Sequence, residues 1–519
     1  MTADDSDGAS PADSSGAGAG GGGPLPDSVL VCIFRHLDLR TRFNTAARVC
    51  SRWAVLATAA PELLETLDVQ LVASAGRWLP SVDSLTRWLT CREVAQHVRR
   101  LSVAVAVEEP APTAEETAAA SLELGAAIVH IGAAAGSSGL WDLRIVTEVP
   151  MDAAAACEMV APKLLRCRVD VPTGRFAHAT DMSASPMRDL HLAAAVLELA
   201  PQQSGAALPR GLERLTLGGL VDADLTLPAK AGRAPLAGLL GGLCAGASGA
   251  IAACRQLAGL TRLRSLALCN CSVSTEGLAC LAALPALQSL RLASNDGLPS
   301  TACLAALSGQ LTALCIEPAK GSPAAGVGAA LEAGLPQLTA LRRLVLRVPH
   351  GASEYRGIPA ALPSLPSLRA FAWLVGGSTN GGGGPPQRQL EGPLPPLPAG
   401  AWLRQLTALA LPAGTAAASP AALAAAASLQ HLMLDHFCSL AAEPQGDLLR
   451  FAGRHPALQR IRLTLGTAGS ALDTAAFVQA AAAMAANDRL SISAEAGPVL
   501  PEEEWEEELS GLEPWPARP

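Results

Sequence analysis

The chain has 519 residues, of which 50% are hydrophobic and only 3% aromatic, and its formal net charge is −8. A chain of this length is longer than a single compact hydrophobic core usually contains. Because it has so few aromatic residues, its composition favours many small stacked layers over one large core. The acidic balance argues against a protein that binds nucleic acid over its whole surface.

Residues 1–23 consist mainly of Gly, Ala, Ser and Asp, and we predict that they form a disordered tail. They contain no apolar run of the kind that marks a signal peptide. The 13 cysteines are scattered without a CxxC pair, which predicts reduced thiols rather than disulfides or a metal site. We therefore expect a cytoplasmic or nuclear protein with no metal and no cofactor.

A compact apolar segment, LPDSVLVCIFRHLDLRTRFNTAARVCSRWAVLA, begins at Leu25. Pro26 suits the first turn of a helix, and the apolar residues after it recur at helical spacing as far as Leu37. Asp38 can cap a second helix, and a third would carry Val49 and Trp53. The segment 24–60 is therefore predicted to form three short helices.

This segment resembles an F-box in its Leu-Pro start, its Ile-Phe pair in the first helix and its closing Val-Cys-x-x-Trp. The resemblance implies binding to a Skp-type adaptor and, through it, to a cullin and a RING subunit. The residues that it implies for adaptor binding are Leu25, Pro26, Leu30, Ile33, Phe34, Leu37, Val49, Cys50 and Trp53. The alternative is that Ile33, Phe34 and Trp53 form only the core of a helical cap.

The motif L-x-x-L-x-L recurs along most of the remaining chain, and its copies that begin at residues 263, 287 and 311 are spaced 24 residues apart. Alternating leucines predict a short strand with one buried face. In the sequence between the copies, leucines recur at helical spacing. The pattern resembles leucine-rich repeats over residues 61–495. We therefore predict an α/β fold in which a three-helix F-box precedes a curved solenoid, with parallel strands on its concave face and helices on its convex face. The copies begin at 64, 98, 140, 164, 187, 212, 263, 287, 311, 341, 368, 406, 429, 458 and 487.

Three parts of the repeat region depart from the regular spacing. Segments near 104–139 and 375–400 are predicted to be insertions carried as loops. The long interval between the copies at 212 and 263 is predicted to hold a degenerate repeat, with Leu236 and Leu239 in its strand. Its uncharged stretch is rich in Gly and Ala, so we expect no membrane segment there. Residues 496–519 are predicted to be a disordered acidic tail.

Arginine is frequent at the strand positions that flank the buried leucines and therefore point to the concave face. We hypothesise that this face binds a protein substrate through an acidic or phosphorylated segment, because the planar guanidinium group pairs with two oxygens. Acids at the same register are Asp142, Asp170, Asp189, Glu317 and Asp435. The alternative is that these arginines are ordinary solvated residues balanced by acids elsewhere. The candidate residues are Arg144, Arg166, Arg168, Arg214, Arg291, Arg343, Arg347, Arg460 and Arg462.

No phosphate-binding loop, HExxH motif or nucleophile with a spaced histidine is found, so we expect no catalytic residue. The resemblance implies the substrate-recognition subunit of an SCF-type (cullin-RING) E3 ubiquitin ligase, with no nucleic acid or membrane as a partner. Two alternatives stay open. The chain could be a leucine-rich repeat scaffold without a ligase role, or an F-box protein that acts with its adaptor outside any ligase.

Overall fold

The computed structural model describes residues 25–79, 81–134, 139–148, 163–178, 184–199, 208–219, 260–269, 278–295, 301–318, 327–349, 358–376, 396–435, 437, 440–464 and 491–495. The chain divides into two compact units, Met1–Asp68 and Val69–Pro519. The two predicted tails, most of the 375–400 insertion, Leu236 and Leu239 lie outside the described residues.

The first unit is helical. It contains α1 (Asp27–Arg35), α2 (Leu39–Asn44), a 3-10 turn (Ala46–Arg48), α3 (Ser51–Ala59) and α4 (Pro61–Leu64). The three predicted helices are therefore present. Asp38 caps α2 as predicted, because its carboxylate accepts hydrogen bonds from the backbone N–H of Thr41 at 2.8 Å and from its hydroxyl at 2.6 Å.

The core of the helical unit is built from the apolar positions of α1, α3 and α4. Leu30 and Phe34 are each 1% exposed, and Ala57 and Leu63 are buried with them. The Phe34 ring meets the Trp53 ring edge-on at a centroid distance of 5.2 Å, a favoured aromatic geometry. A unit this small depends on a few large side chains for its stability.

The described residues of the second unit are built around a 16-stranded sheet in which sequence neighbours lie side by side from β3 to β16, and β1 lies between β2 and β3. Every neighbouring pair from β3 to β16 is parallel, and β2 closes the edge as an antiparallel partner of β1. Each predicted copy of the L-x-x-L-x-L motif coincides with a strand of this sheet. The strands are β1 (Thr66–Ser74), β2 (Arg77–Leu79), β3 (Arg100–Val107), β4 (Asp142–Thr147), β5 (Arg166–His178), β6 (Asp189–Leu199), β7 (Arg214–Gly219), β8 (Ser265–Cys269), β9 (Ser289–Asn295), β10 (Ala313–Pro318), β11 (Arg343–Pro349), β12 (Ala370–Gly376), β13 (Ala408–Pro412), β14 (His431–Asp435), β15 (Arg460–Thr464) and β16 (Ser491–Glu495).

Parallel register brings equivalent leucines together on one face of the sheet. Leu290 of β9 lies opposite Leu266 of β8 and Leu314 of β10, and all three are buried. Backbone hydrogen bonds between neighbouring repeats also begin one residue before the strands. The Thr312 N–H, just before β10, donates to Gln288 O, just before β9, at 2.8 Å. A single strand has no partner for these apolar and polar groups, so each repeat depends on its neighbours. The sequential parallel order and this register define a leucine-rich-repeat-like solenoid.

Where the structure describes the connections between strands, they contain helices and 3-10 turns. Two of the described 3-10 turns, Leu335–Gln337 and Leu362–Ser364, contain a proline near their start. The α-helices within the described residues of this unit are α5 (Val82–Leu89), α6 (Arg92–Ala95), α7 (Ala114–Ala134), α8 (Thr301–Ala306), α9 (Val327–Gly334), α10 (Ile358–Ala361), α11 (Ala413–Ala417), α12 (Pro420–Ala425) and α13 (Ala442–Arg454).

The prediction that the insertion near 104–139 is a loop is wrong, because it contains the end of β3 and the long helix α7. A capping box starts this helix: Glu116 Oε2 accepts from the Thr113 N–H at 2.7 Å, and Thr113 Oγ1 accepts from the Glu116 N–H at 3.2 Å. Glu116 Oε1 also accepts from the Gly76 N–H at 2.9 Å. Gly76 has a φ of 66° in the β1–β2 turn, so the helix start is bonded to that hairpin.

The predicted degenerate repeat between 212 and 263 adds no strand between its neighbours. Arg214 of β7 lies directly opposite Ser265 of β8, and the two strands are adjacent in the sheet. The prediction is wrong on this point, since a stacked repeat would separate them. No helix among the described residues is long and apolar enough to cross a membrane.

His455 follows α13 and provides a pH-dependent contribution to stability. Burial lowers the pKa of His455, although the hydrogen bond from its Nε2 to Ala426 O at 3.1 Å opposes this. The folded state therefore favours the neutral imidazole, whereas the unfolded state binds a proton near its ordinary pKa of about 6.5. The stabilisation is present above that pH and is lost as the pH falls toward the folded pKa.

We expect His455→Gln to reduce the fall in unfolding free energy between about pH 7.5 and pH 5.5, because the variant lacks the group that titrates. Urea unfolding of both proteins at both pH values measures the difference. Equal losses in the two proteins would contradict the assignment to His455.

Candidate functional site

Large apolar side chains are exposed mainly in the helical unit. Of the seven such residues in the described chain, five lie before Asp68: Leu25, Val29, Ile33, Val49 and Val55. Val29 and Ile33 lie one turn apart on α1 and are 40% and 45% exposed. A concentration of exposed apolar residues in so small a unit is typical of a surface that binds another protein.

The residues predicted for adaptor binding divide into an exposed and a buried group. Leu25, Pro26, Ile33, Val49 and Cys50 are exposed, as a contact role requires. Leu37 and Trp53 are half-buried against the core.

The placement of Leu30 and Phe34 requires a correction. Both belong to the core of the unit, so their side chains support the surface rather than form it. Val29 is not in the predicted set, although its i, i+4 spacing to the exposed Ile33 would have indicated it.

Arg52 holds the start of the exposed surface in place. Its Nε donates to Asp27 Oδ1 at 2.7 Å and its Nη2 donates to Leu25 O at 2.6 Å. These bonds join α3 to the first turn of α1 and to Leu25, which precedes that helix, across 25 and 27 residues of sequence. The exposed Leu25 and Val29 are therefore presented by a fixed helix start.

The second candidate surface is the face of the sheet that lies opposite the leucine core. This is the face predicted to be concave, and we call it the outer face. The first position of each strand on this face forms a charge ladder across β3–β7, in which arginine and aspartate alternate. The pairs in register are Arg100 with Asp142, Asp142 with Arg166, Arg166 with Asp189, and Asp189 with Arg214. Opposite charges directly across neighbouring strands stabilise the pairing.

Ion pairs and ring contacts join members of the charge ladder. Arg214 Nη2 lies 2.8 Å from Asp189 Oδ2, and Arg166 Nη1 lies 3.7 Å from Asp142 Oδ2. Trp141 stacks with two of the arginines, whose guanidinium carbons lie 4.5 Å (Arg100) and 5.3 Å (Arg166) from its ring centroid. Burial raises the pKa of Asp189, and the charges of Arg214 and Arg166 oppose that shift.

The next position on the outer face forms a row with a different composition. Across β3–β7 it carries Ser102, Arg144, Arg168, His191 and Thr216, each in register with the next. We call these five residues the donor row, because each side chain can donate hydrogen bonds and none is acidic. Arg144 is exposed and the other four are half-buried.

The predicted substrate-binding arginines therefore lie in separate groups. Arg166 and Arg214 belong to the charge ladder, and Arg144 and Arg168 to the donor row. Farther along the sheet, Arg291 and Arg343 are half-buried and Arg347 Nη1 lies 3.9 Å from Glu317 Oε2. At the far end Arg460 is exposed, whereas Arg462 is only 5% exposed.

An apolar section of the outer face separates the two ends. Ala372, Leu374, Ala410 and Met433 are buried there, with Val345 packed against them. In the part of the chain that the structure describes, no group of three or more His, Cys, Asp or Glu residues can hold a metal ion.

The geometry defines a two-part protein, with a small helical unit that exposes apolar side chains and a long parallel repeat sheet. Residues 24–68 match the family model described as F-box-like. The chain therefore has an F-box-like domain at its N-terminus, followed by a leucine-rich-repeat-like parallel sheet.

Two solved structures are similar to the chain at low identity. An internalin from Listeria monocytogenes is 13% identical, with a TM-score of 0.34, and the match covers 80% of this chain and 94% of that one. A TLR13–ssRNA13 complex is 14% identical, with a TM-score of 0.27, and the match covers 84% of this chain and 52% of that one. Both scores are low, so the repeat architecture rests on strand order and register. No curated protein sequence matches the chain.

Proposed function

We propose that the protein is the substrate-recognition subunit of an SCF-type (cullin-RING) E3 ubiquitin ligase. One observation supports this proposal most directly. The F-box-like residues 24–68 contain most of the exposed large apolar side chains in the described chain. A Skp-type adaptor would cover these side chains by receiving the helical unit in an apolar groove. The adaptor would then connect the chain to a cullin and a RING subunit.

In this role the chain performs no bond chemistry of its own. It would hold a target protein close to the ubiquitin-charged conjugating enzyme, so that transfer becomes effectively intramolecular. The repeat sheet would bind the target through its outer face, with the predicted arginines as candidate contacts. The protein would act in the cytoplasm or the nucleus and mark its target for degradation.

Co-expression of the full chain with a Skp-type adaptor tests the proposal, followed by addition of the cullin–RING core. We expect a stable complex of all components on size-exclusion chromatography. Absence of an adaptor complex would contradict the proposal and favour a repeat scaffold. A complex with the adaptor that excludes the cullin would favour a role outside the ligase.

A further inference from the structure

Ser51 lies within the exposed surface of the helical unit. It is the first residue of α3 and is exposed. It directly follows Val49 and Cys50, two exposed residues that are predicted to bind the adaptor. The next residue is Arg52, whose guanidinium group is bonded to the start of α1. A chemical change at Ser51 therefore acts within the predicted contact surface.

Two arginines flank Ser51 in the sequence RVCSRW, with Arg48 three residues before it and Arg52 one residue after it. The Arg48 side chain is exposed. Protein kinases select their substrates partly by charge, and basophilic kinases receive an arginine at the third position before the target serine. Ser102 and Ser265 also follow an arginine at this spacing, but they are half-buried in β3 and β8. Of these three serines, Ser51 is the accessible one.

A phosphoryl group on Ser51 changes the contact surface without opposing the fold. It adds about two negative charges, and an apolar groove on a partner has to remove water from those charges, which opposes binding. In the free chain the same charges lie at the N-terminus of a helix of nine residues, where the helix dipole favours an anion. The modification therefore acts on adaptor binding and not on the stability of the helical unit.

From these observations we propose that Ser51 is a phosphorylation site and that its modification switches off adaptor binding. This proposal rests on the proposed function and adds a regulation of the same surface. The reaction needs ATP and a basophilic serine/threonine kinase. The Ser51 Oγ attacks the γ-phosphorus of ATP, the bond from that phosphorus to ADP breaks, and the hydroxyl proton is released. Hydrolysis by a phosphatase restores the hydroxyl group and, with it, adaptor binding.

The test uses the purified full chain, ATP and cyclic-AMP-dependent protein kinase as the basophilic kinase. Mass spectrometry locates the phosphate, and titration with purified adaptor measures the dissociation constant. We expect phosphate on Ser51 and an affinity for the adaptor that is reduced roughly tenfold or more. Because binding and modification oppose each other, saturating adaptor should also slow the phosphorylation of Ser51.

Three variants isolate the effect of charge at this position. Ser51→Ala should bind the adaptor like the unmodified chain, both before and after kinase treatment. Ser51→Glu has one negative charge and should weaken binding less than phosphate does. Ser84→Glu is the matched control, because Ser84 is also exposed in the first turn of a helix, α5, outside the F-box-like domain. It should bind like the unmodified chain.

Four results would overturn the proposal. They are unchanged adaptor affinity of a chain with phosphate on Ser51, an equal loss in kinase-treated Ser51→Ala, lost hydrogen-exchange protection of α1–α4 in the phosphorylated chain, and no phosphate on Ser51 under conditions that modify a peptide of residues 45–57. The proposed function fails separately, when the unmodified chain forms no complex with the adaptor.

Discussion

Replacing Ile33 by aspartate is expected to abolish adaptor binding by the full chain without unfolding it. Ile33 is 45% exposed on α1, so the change removes little core packing. In an adaptor complex the new carboxylate would be buried without a partner, which costs several kcal/mol at an apolar interface. We expect the affinity to fall by roughly a hundredfold or more, measured by co-purification and by titration with purified adaptor.

Two matched variants isolate the effect of Ile33→Asp. Ile33→Val keeps an apolar side chain at the same place and should retain adaptor binding. Leu122→Asp makes the same kind of change at a residue of α7 that is 77% exposed, outside the F-box-like domain, and should also retain it. Equal loss in Leu122→Asp, or full binding by Ile33→Asp, would contradict the assignment of the surface.

Replacing Phe34 by alanine is expected to unfold the helical unit and leave the sheet folded. Phe34 is 1% exposed and meets Trp53 edge-on. Truncation of a buried phenylalanine costs about 3–5 kcal/mol, and the total stability of so small a core is of the same size. Hydrogen exchange followed by mass spectrometry should show lost protection in α1–α4 and unchanged protection in the strands.

Phe34→Leu is the control for this prediction, because it keeps an apolar group in the same core and should lose much less stability. Adaptor binding should decline with unfolding in Phe34→Ala, whereas in Ile33→Asp it is lost from a folded unit. Unchanged protection of α1 in Phe34→Ala would show that the core does not depend on this ring.

Much of the fold could be predicted because the alternation of buried and exposed positions along a strand is a local signal in the sequence. In L-x-x-L-x-L the two-residue period fixes which side chains face the core, and parallel stacking then brings Leu266, Leu290 and Leu314 together. The helix α7 was not predicted because its Ala-rich sequence shows little separation into an apolar and a polar face. Its capping box, Thr113 to Glu116, was a readable signal.

The candidate site was less predictable, because it depends on which strands become neighbours. Spacing on α1 identifies its apolar residues but does not say which ones the core covers, so Leu30 and Phe34 were assigned to the contact surface. Likewise, Arg166 and Arg144 look equivalent in sequence. Only the register, which places Asp142 and Asp189 on either side of Arg166, separates them.

The alternation of the charge ladder also constrains how the array can change length. Deleting or duplicating one repeat between β3 and β7 would place two arginines or two aspartates directly opposite each other, which is unfavourable in neighbouring strands. Removing or adding two repeats together would restore the pattern. In this part of the protein, evolutionary gain and loss of modules should therefore occur in even numbers.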